Sequence, residues 1–209
     1  MAGVNWAIFP SVQGAWLVSS EDFFNWDMMN SLKISMGYDI SGNDDIALTA
    51  SRTTLNATRF QNGSIGLVLN NIGNTRIQWE TTHRFRAGLD MLMFNNRFGL
   101  SFNAFKSQTT NLLTLKSLPE ISGEKYYWSN GGSLENVGFD VATNIKLLNL
   151  KSWGWEVGVN VAAYKNEVTA LPDGDYTTTI YGANVLTSEG RPVGVFYGYE
   201  TDGVYATQE

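Results

Sequence analysis

Apolar and polar side chains alternate in this sequence with a period of two, over runs far longer than ordinary strands sustain. From Leu32 to Ile40, the residues Leu32, Ile34, Met36, Tyr38 and Ile40 are apolar, and Lys33, Ser35, Gly37 and Asp39 separate them. Successive side chains of an extended strand point to opposite sides, so a period of two gives one greasy and one polar face. Over Ile77 to Met91 the pattern returns: Trp79, Thr81, His83, Phe85, Ala87, Leu89 and Met91 oppose Gln78, Glu80, Thr82, Arg84, Arg86, Gly88 and Asp90. It recurs in Val137, Phe139, Val141, Thr143, Ile145 and Leu147, and in Trp153, Trp155, Val157, Val159, Val161 and Ala163. Strands of soluble domains average about five or six residues, whereas a tilted strand needs about 9–11 to cross a bilayer. These runs have the longer dimension.

Short and long connections alternate between the runs. Phe94-Asn95-Asn96-Arg97 and Asn149-Leu150-Lys151-Ser152 read as tight turns, while Ser41–Arg76, Thr109–Glu135 and Asn166–Gly190 read as long loops, the first with a small hairpin at Ile65–Leu69. Ser19–Asn30 is a longer connection on the short-turn side and carries Phe23, Phe24 and Trp26. Outer-membrane barrels have this asymmetry, with short periplasmic turns and long extracellular loops. Trp16, Trp79, Trp153 and Trp155 fall near strand ends, where an interfacial girdle would put them.

Composition narrows the function classes. Charged residues are 16% of the 209, aromatics 13%, and the formal net charge is -6. Nucleic-acid binders neutralise phosphates with clustered Lys and Arg, so no nucleic-acid partner is expected. Zero cysteines exclude disulfides, thiolate metal sites and Cys nucleophiles. No run reaches the roughly 18 apolar residues of a membrane helix. His83 is the only histidine, without Asp or Glu at metal spacing around it, so neither a zinc site nor a Ser-His-Asp triad can be assembled. Asn43-Asp44-Asp45 lacks the further ligands of a calcium loop. No enzyme activity, cofactor or metal is expected. A soluble β-sandwich or propeller also alternates apolar and polar residues, so a soluble carbohydrate-binding or surface adhesion module stays open on periodicity alone. Strand length weighs against it, and no fixed repeat supports a propeller.

Local strings add a resemblance. Phe9-Pro10-Ser11 to Trp16 with Ser20-Glu21-Asp22-Phe23-Phe24, then Leu32-Lys33-Ile34 and Ser41-Gly42-Asn43, stand in order. Trp79-Glu80-Thr81-Thr82, Gly88-Leu89-Asp90, Phe94-Asn95-Asn96-Arg97 and Thr110-Asn111-Leu112-Leu113 follow. Asn136-Val137-Gly138, Lys165-Asn166-Glu167-Val168-Thr169 and Gly190-Arg191-Pro192-Val193-Gly194-Val195-Phe196-Tyr197-Gly198-Tyr199 complete the series. In this order and spacing they resemble the SusC/RagA family of TonB-linked outer-membrane transporters.

The resemblance implies an all-β fold, about six or seven strands of a larger antiparallel barrel, with residues 1–209 a partial barrel domain. The signal peptide and plug would precede Met1, and closing strands would follow Glu209. It further implies import of oligosaccharides or peptides, with a SusD-like surface lipoprotein, the TonB complex and outer-membrane lipid as partners. Tyr126, Tyr127 and Trp128 in one outer loop, and Phe196, Tyr197 and Tyr199 near another, are the candidate substrate contacts, because aromatic faces can stack on sugar C–H surfaces. Arg84, Arg86 and Asp90 would face a polar lumen and pair with a plug or with neighbouring strands.

Overall fold

The computed structural model describes residues 6–60, 63–124, 126–150, 152–201 and 203. Met1–Asn5, Lys151 and Glu209, which carry parts of the sequence reading, lie outside them. In chain order the strands are β1 (Ser11–Leu17), β2 (Met29–Asn43), β3 (Thr54–Arg59), β4 (Ile65–Asn71), β5 (Glu80–Met93), β6 (Phe98–Thr110), β7 (Leu113–Ser117), β8 (Tyr126–Asn130), β9 (Ser133–Asn149), β10 (Gly154–Ala170), β11 (Tyr176–Ile180), β12 (Ala183–Thr187) and β13 (Val195–Phe196). Six of them form one antiparallel sheet in the order β1-β2-β5-β6-β9-β10. The helical elements are short 3-10 turns such as Val18–Ser20 and Leu48–Ser51.

The expected alternation of connections holds. The β5–β6 turn runs through Phe94, Asn95 and Asn96, all in the left-handed region at φ of 55°, 58° and 60°. Asn tolerates that region better than most residues, and the turn is tied down where the Asn96 amide donates to Asn30 Oδ1 at 3.1 Å. At the other end the loops are ordered hairpins rather than open coil. β3 pairs with β4, so the hairpin expected at Ile65–Leu69 is the second arm of a larger one. β7 pairs with β8, and β11 with β12 and β13. The main strands also run deeper into the loops than their patterns indicate, with β2 reaching Asn43, β6 Thr110 and β10 Ala170. β5 instead starts at Glu80. Ile77 is buried before it, and Trp79 packs edge-on against Phe9 with ring centroids 6.1 Å apart.

The register assigns the two faces. Met36, Ala87, Ala104, Phe139 and Ala163 form one cross-strand row, and Ile34, Leu89, Phe102, Val141 and Val161 form the row one step towards the short turns. This apolar face is open: Val12, Trp16, Met36, Phe85, Phe102, Phe139, Val159 and Val161 are all exposed. The fully buried large side chains among the described residues are Ile77 and Val168, both outside it or at its rim. The chain exposes 15797 Å², against roughly 9,700 Å² for a compact monomer of 23.2 kDa. A sandwich would bury such a face in a core, and an apolar patch of this extent needs an apolar partner. A bilayer is one.

The girdle residues also give the tilt. Trp16 shares a row with Val161, so Trp155, six residues before Val161 on β10, sits three rows below Trp16 across five strand spacings. Three rows are about 20 Å along a strand and five spacings about 24 Å across the sheet. The line joining the two tryptophans therefore crosses the rows at about 40°, within the tilt of strands in outer-membrane barrels.

Candidate functional site

The opposite face is polar and lines a concavity of about 640 Å³ whose wall includes Gln13, Asp39, Arg84, Arg86, Asn103 and Asp140. Alternation puts these residues on one side of five neighbouring strands. Side chains of this polar face tie the strands together: Lys33 Nζ meets Asp90 Oδ2 at 2.8 Å, and Ser101 Oγ donates to the other oxygen of Asp90 at 2.8 Å. Arg86 Nη2 donates to Asp39 Oδ1 at 2.8 Å, and Asn103 Nδ2 to Asp140 Oδ2 at 2.8 Å. Arg86 and Asp90 thus pair with a neighbouring strand as expected. Arg84 lines the concavity and makes no ion pair among the described residues. These pairs are part-exposed, so each stabilises the wall only slightly. Their chemical consequence is a hydrophilic surface with both signs of charge, suited to a water-filled passage and not to lipid.

Above the wall, the outer rim is held by residues whose role the sequence does not announce. The Glu80 carboxylate accepts from Asn43 Nδ2 at 3.0 Å and from the Leu113 amide at 2.9 Å, linking the base of two outer connections. Asn74 Nδ2 donates to the Trp128 carbonyl at 3.0 Å. Asn130 bonds to the backbone of both Gln78 and Asn111. Lys116 pairs with Asp173, joining the β7–β8 hairpin to the segment after β10. Glu80 does stand in a motif, but its bonding partners are far away in sequence, and only the fold brings them together.

The six aromatic candidates fall into two groups. Tyr126, Tyr127 and Trp128 are not in open loop but on β8, opposite Ser117, Lys116 and Leu115. Alternation turns Tyr126 and Trp128 to one side and Tyr127 to the other, and only Tyr126 is exposed. Phe196 ends β13, with Tyr197 and Tyr199 after it, and all three are exposed. The groups belong to separate small sheets. His83 is accounted for by its 2.7 Å hydrogen bond between Nδ1 and the Tyr38 hydroxyl on the apolar face. In the Asn43-Asp44-Asp45 string the Asp45 amide donates to Asn43 Oδ1 at 3.2 Å, a local turn.

Residues 5–206 match the family model described as TonB dependent receptor-like, beta-barrel. The chain is 32% identical over 211 residues to TonB-dependent receptor P3 of Formosa agariphila, covering 96% of this chain and 21% of that protein. It is 26% identical over 216 residues to TonB-dependent receptor SusC of Bacteroides thetaiotaomicron, covering 98% of this chain and 22% of that protein. The solved RagAB peptide transporter shares the fold, with a TM-score of 0.81 at 24% identity over 88% of this chain and 20% of that one. The chain therefore spans about a fifth of the length of these relatives. A strand set with lipid-compatible and water-compatible faces, matched over nearly its whole length, belongs to the TonB-dependent receptor-like β-barrel family in its SusC/RagA-like branch, and is part of a barrel of the Gram-negative outer membrane.

Proposed function

We propose that this chain forms part of the wall and outer rim of an importer of large nutrients, oligosaccharides or peptides, energised by the TonB complex and served by a SusD-like surface lipoprotein. The observation that carries this reading is the two-faced sheet: an open apolar side, a polar concave side, and ordered hairpins at one end only. A wall of this kind gives cargo a hydrophilic path. The hairpins offer the exposed Tyr126, Phe196, Tyr197 and Tyr199 to whatever approaches from outside, with Trp128 on the same side of β8 as Tyr126 and Tyr127 on the other. The plug, the signal peptide and the closing strands belong to the rest of the parent protein in this reading.

Uptake by cells tests it. A strain lacking the full-length parent gene is complemented either with the wild type or with a form whose residues 113–130 are replaced by a short Gly-Ser turn. Uptake of labelled oligosaccharides and peptides is then compared at equal amounts of folded barrel. Loss of uptake of one cargo class in the deletion strain, restored only by the wild type, is the expected result. Undiminished uptake of both classes without the parent gene would overturn it.

A further inference from the structure

The outer boundary of the apolar face carries an ordered set of charges. One cross-strand row reads Val12, Tyr38, Phe85, Lys106, Val137 and Lys165, and the next row outward reads Ile40, His83, Gln108, Glu135 and Glu167. Taking the line through Trp16 and Trp155 as the membrane plane, strand geometry puts Lys106 about 20 Å and Lys165 about 26 Å above it. The apolar band of an outer-membrane barrel is about 25 Å tall. Both lysines therefore stand at its outer edge, and the strand tilt explains why the same row is apolar at Val12, Tyr38 and Phe85.

Glu135 and Glu167 lie directly opposite each other on β9 and β10, an arrangement that is unfavourable for two like charges. Each is offset by a lysine: Lys106 Nζ meets Glu135 at 2.9 Å and Lys165 Nζ meets Glu167 at 2.7 Å. The lysines sit on the membrane side of the carboxylates and remain open, with side-chain exposures of 58% and 75%. An ammonium has three donors, and each of these spends one on its glutamate. The others are free at the level where a bilayer carries its phosphates.

We infer that Lys106 and Lys165 form a seat for the phosphate-bearing headgroup of an outer-leaflet lipid, with Glu135 and Glu167 holding both lysines in place from the water side. The cation row adjoining the apolar band and the anion row beyond it match a phosphate layer lying against hydrocarbon. A long lysine stem can cover apolar surface while its head reaches that layer.

The intact barrel containing this chain is stripped of lipid in detergent and titrated with diphosphorylated lipid A or with phosphatidylcholine, and bound lipid is counted by native mass spectrometry. Wild type is expected to prefer lipid A, and K106Q and K165Q to lose about fivefold each in apparent affinity for it. K33Q, which removes a lysine from the luminal face, should keep the preference. Heat-dependent gel mobility reports separately that each barrel is folded, and K165Q alone, on the more exposed of the two lysines, serves if the double variant is not. Equal lipid A affinity in wild type and K106Q/K165Q, no wild-type preference over phosphatidylcholine, or an equal loss in K33Q would each overturn the assignment.

Discussion

Asn130 holds Gln78 by both of its backbone groups: Asn130 Oδ1 accepts from the Gln78 amide at 2.7 Å, and Asn130 Nδ2 donates to the Gln78 carbonyl at 2.8 Å. A carboxamide presents one acceptor and one donor side by side, so it can satisfy a residue as a neighbouring strand would. The same Nδ2 also donates to the Asn111 carbonyl at 2.9 Å, which fastens the start of β8's loop to its end. Asn130→Ala leaves these groups without their partner, at a cost of about 1–3 kcal/mol confined to the rim. The expected outcome is faster proteolytic cutting between residues 111 and 132 with unchanged heat-dependent mobility of the barrel. An unchanged cutting pattern would show that the clamp does not hold the hairpin.

The two faces should respond oppositely to charge. Val159 and Met36 lie on the open apolar face, and the membrane plane drawn through Trp16 and Trp155 puts both near mid-bilayer. Val159→Arg or Met36→Arg should destabilise the intact barrel by about 2–4 kcal/mol. Asn160→Arg and Gly37→Arg point to the lumen and should escape that penalty. At Gly37 an added Cβ would meet nothing closer than 3.7 Å, so the backbone has room for the change. Urea unfolding in lipid vesicles measures all four variants, and equal losses on both faces would refute the assignment of inside and outside.

How much of this was legible follows from where the information lies. Leu32 to Ile40 and Val157 to Ala163 name their own faces, because one side of a wall strand meets apolar and the other polar surroundings along its whole length. The Tyr126-Tyr127-Trp128 string is too short to show a period. Its strand pairs only with β7, and two glycines follow at Gly131 and Gly132, so aromatic loop and aromatic strand read alike. The rim residues Asn74, Glu80 and Asn130 act on atoms 19 to 54 positions away, and no local pattern carries that. The heights of Lys106 and Lys165 needed the cross-strand register, including the irregularity between Trp155 and Glu156.

Gly138 is required by close packing on the luminal face. A Cβ there would stand 2.8 Å from Phe105 Cζ, 2.8 Å from Tyr164 Cβ and 2.9 Å from the Ala163 carbonyl. The phenyl tip can move, but the other two atoms belong to the backbone region of β10, paired directly with Gly138. Gly138→Ala should therefore cost about 1–3 kcal/mol, as overpacking does. Gly37→Ala, where space is ordinary, should cost less. The urea midpoints of the two variants, measured side by side, decide it, and a Gly138→Ala barrel as stable as Gly37→Ala would disprove the packing argument.

The β7–β8 hairpin is expected on the extracellular side, because the β5–β6 and β9–β10 turns occupy the opposite end of the sheet. Ile121, between β7 and β8, is 97% exposed. Ile121→Cys introduces the one thiol of a chain without cysteine, and an impermeant maleimide should label it on intact cells expressing the full-length parent. Labelling only after the outer membrane is opened would invert the strand map. On the same hairpin, Tyr126→Ala removes an exposed ring and should weaken cargo or lipoprotein binding at unchanged barrel yield. Trp128→Ala instead removes a half-buried side chain beside the Asn74 bond, and should loosen the hairpin first. A Tyr126→Ala protein with wild-type uptake, together with a Trp128→Ala protein that is more readily cut by protease, would leave the hairpin aromatics a packing role alone.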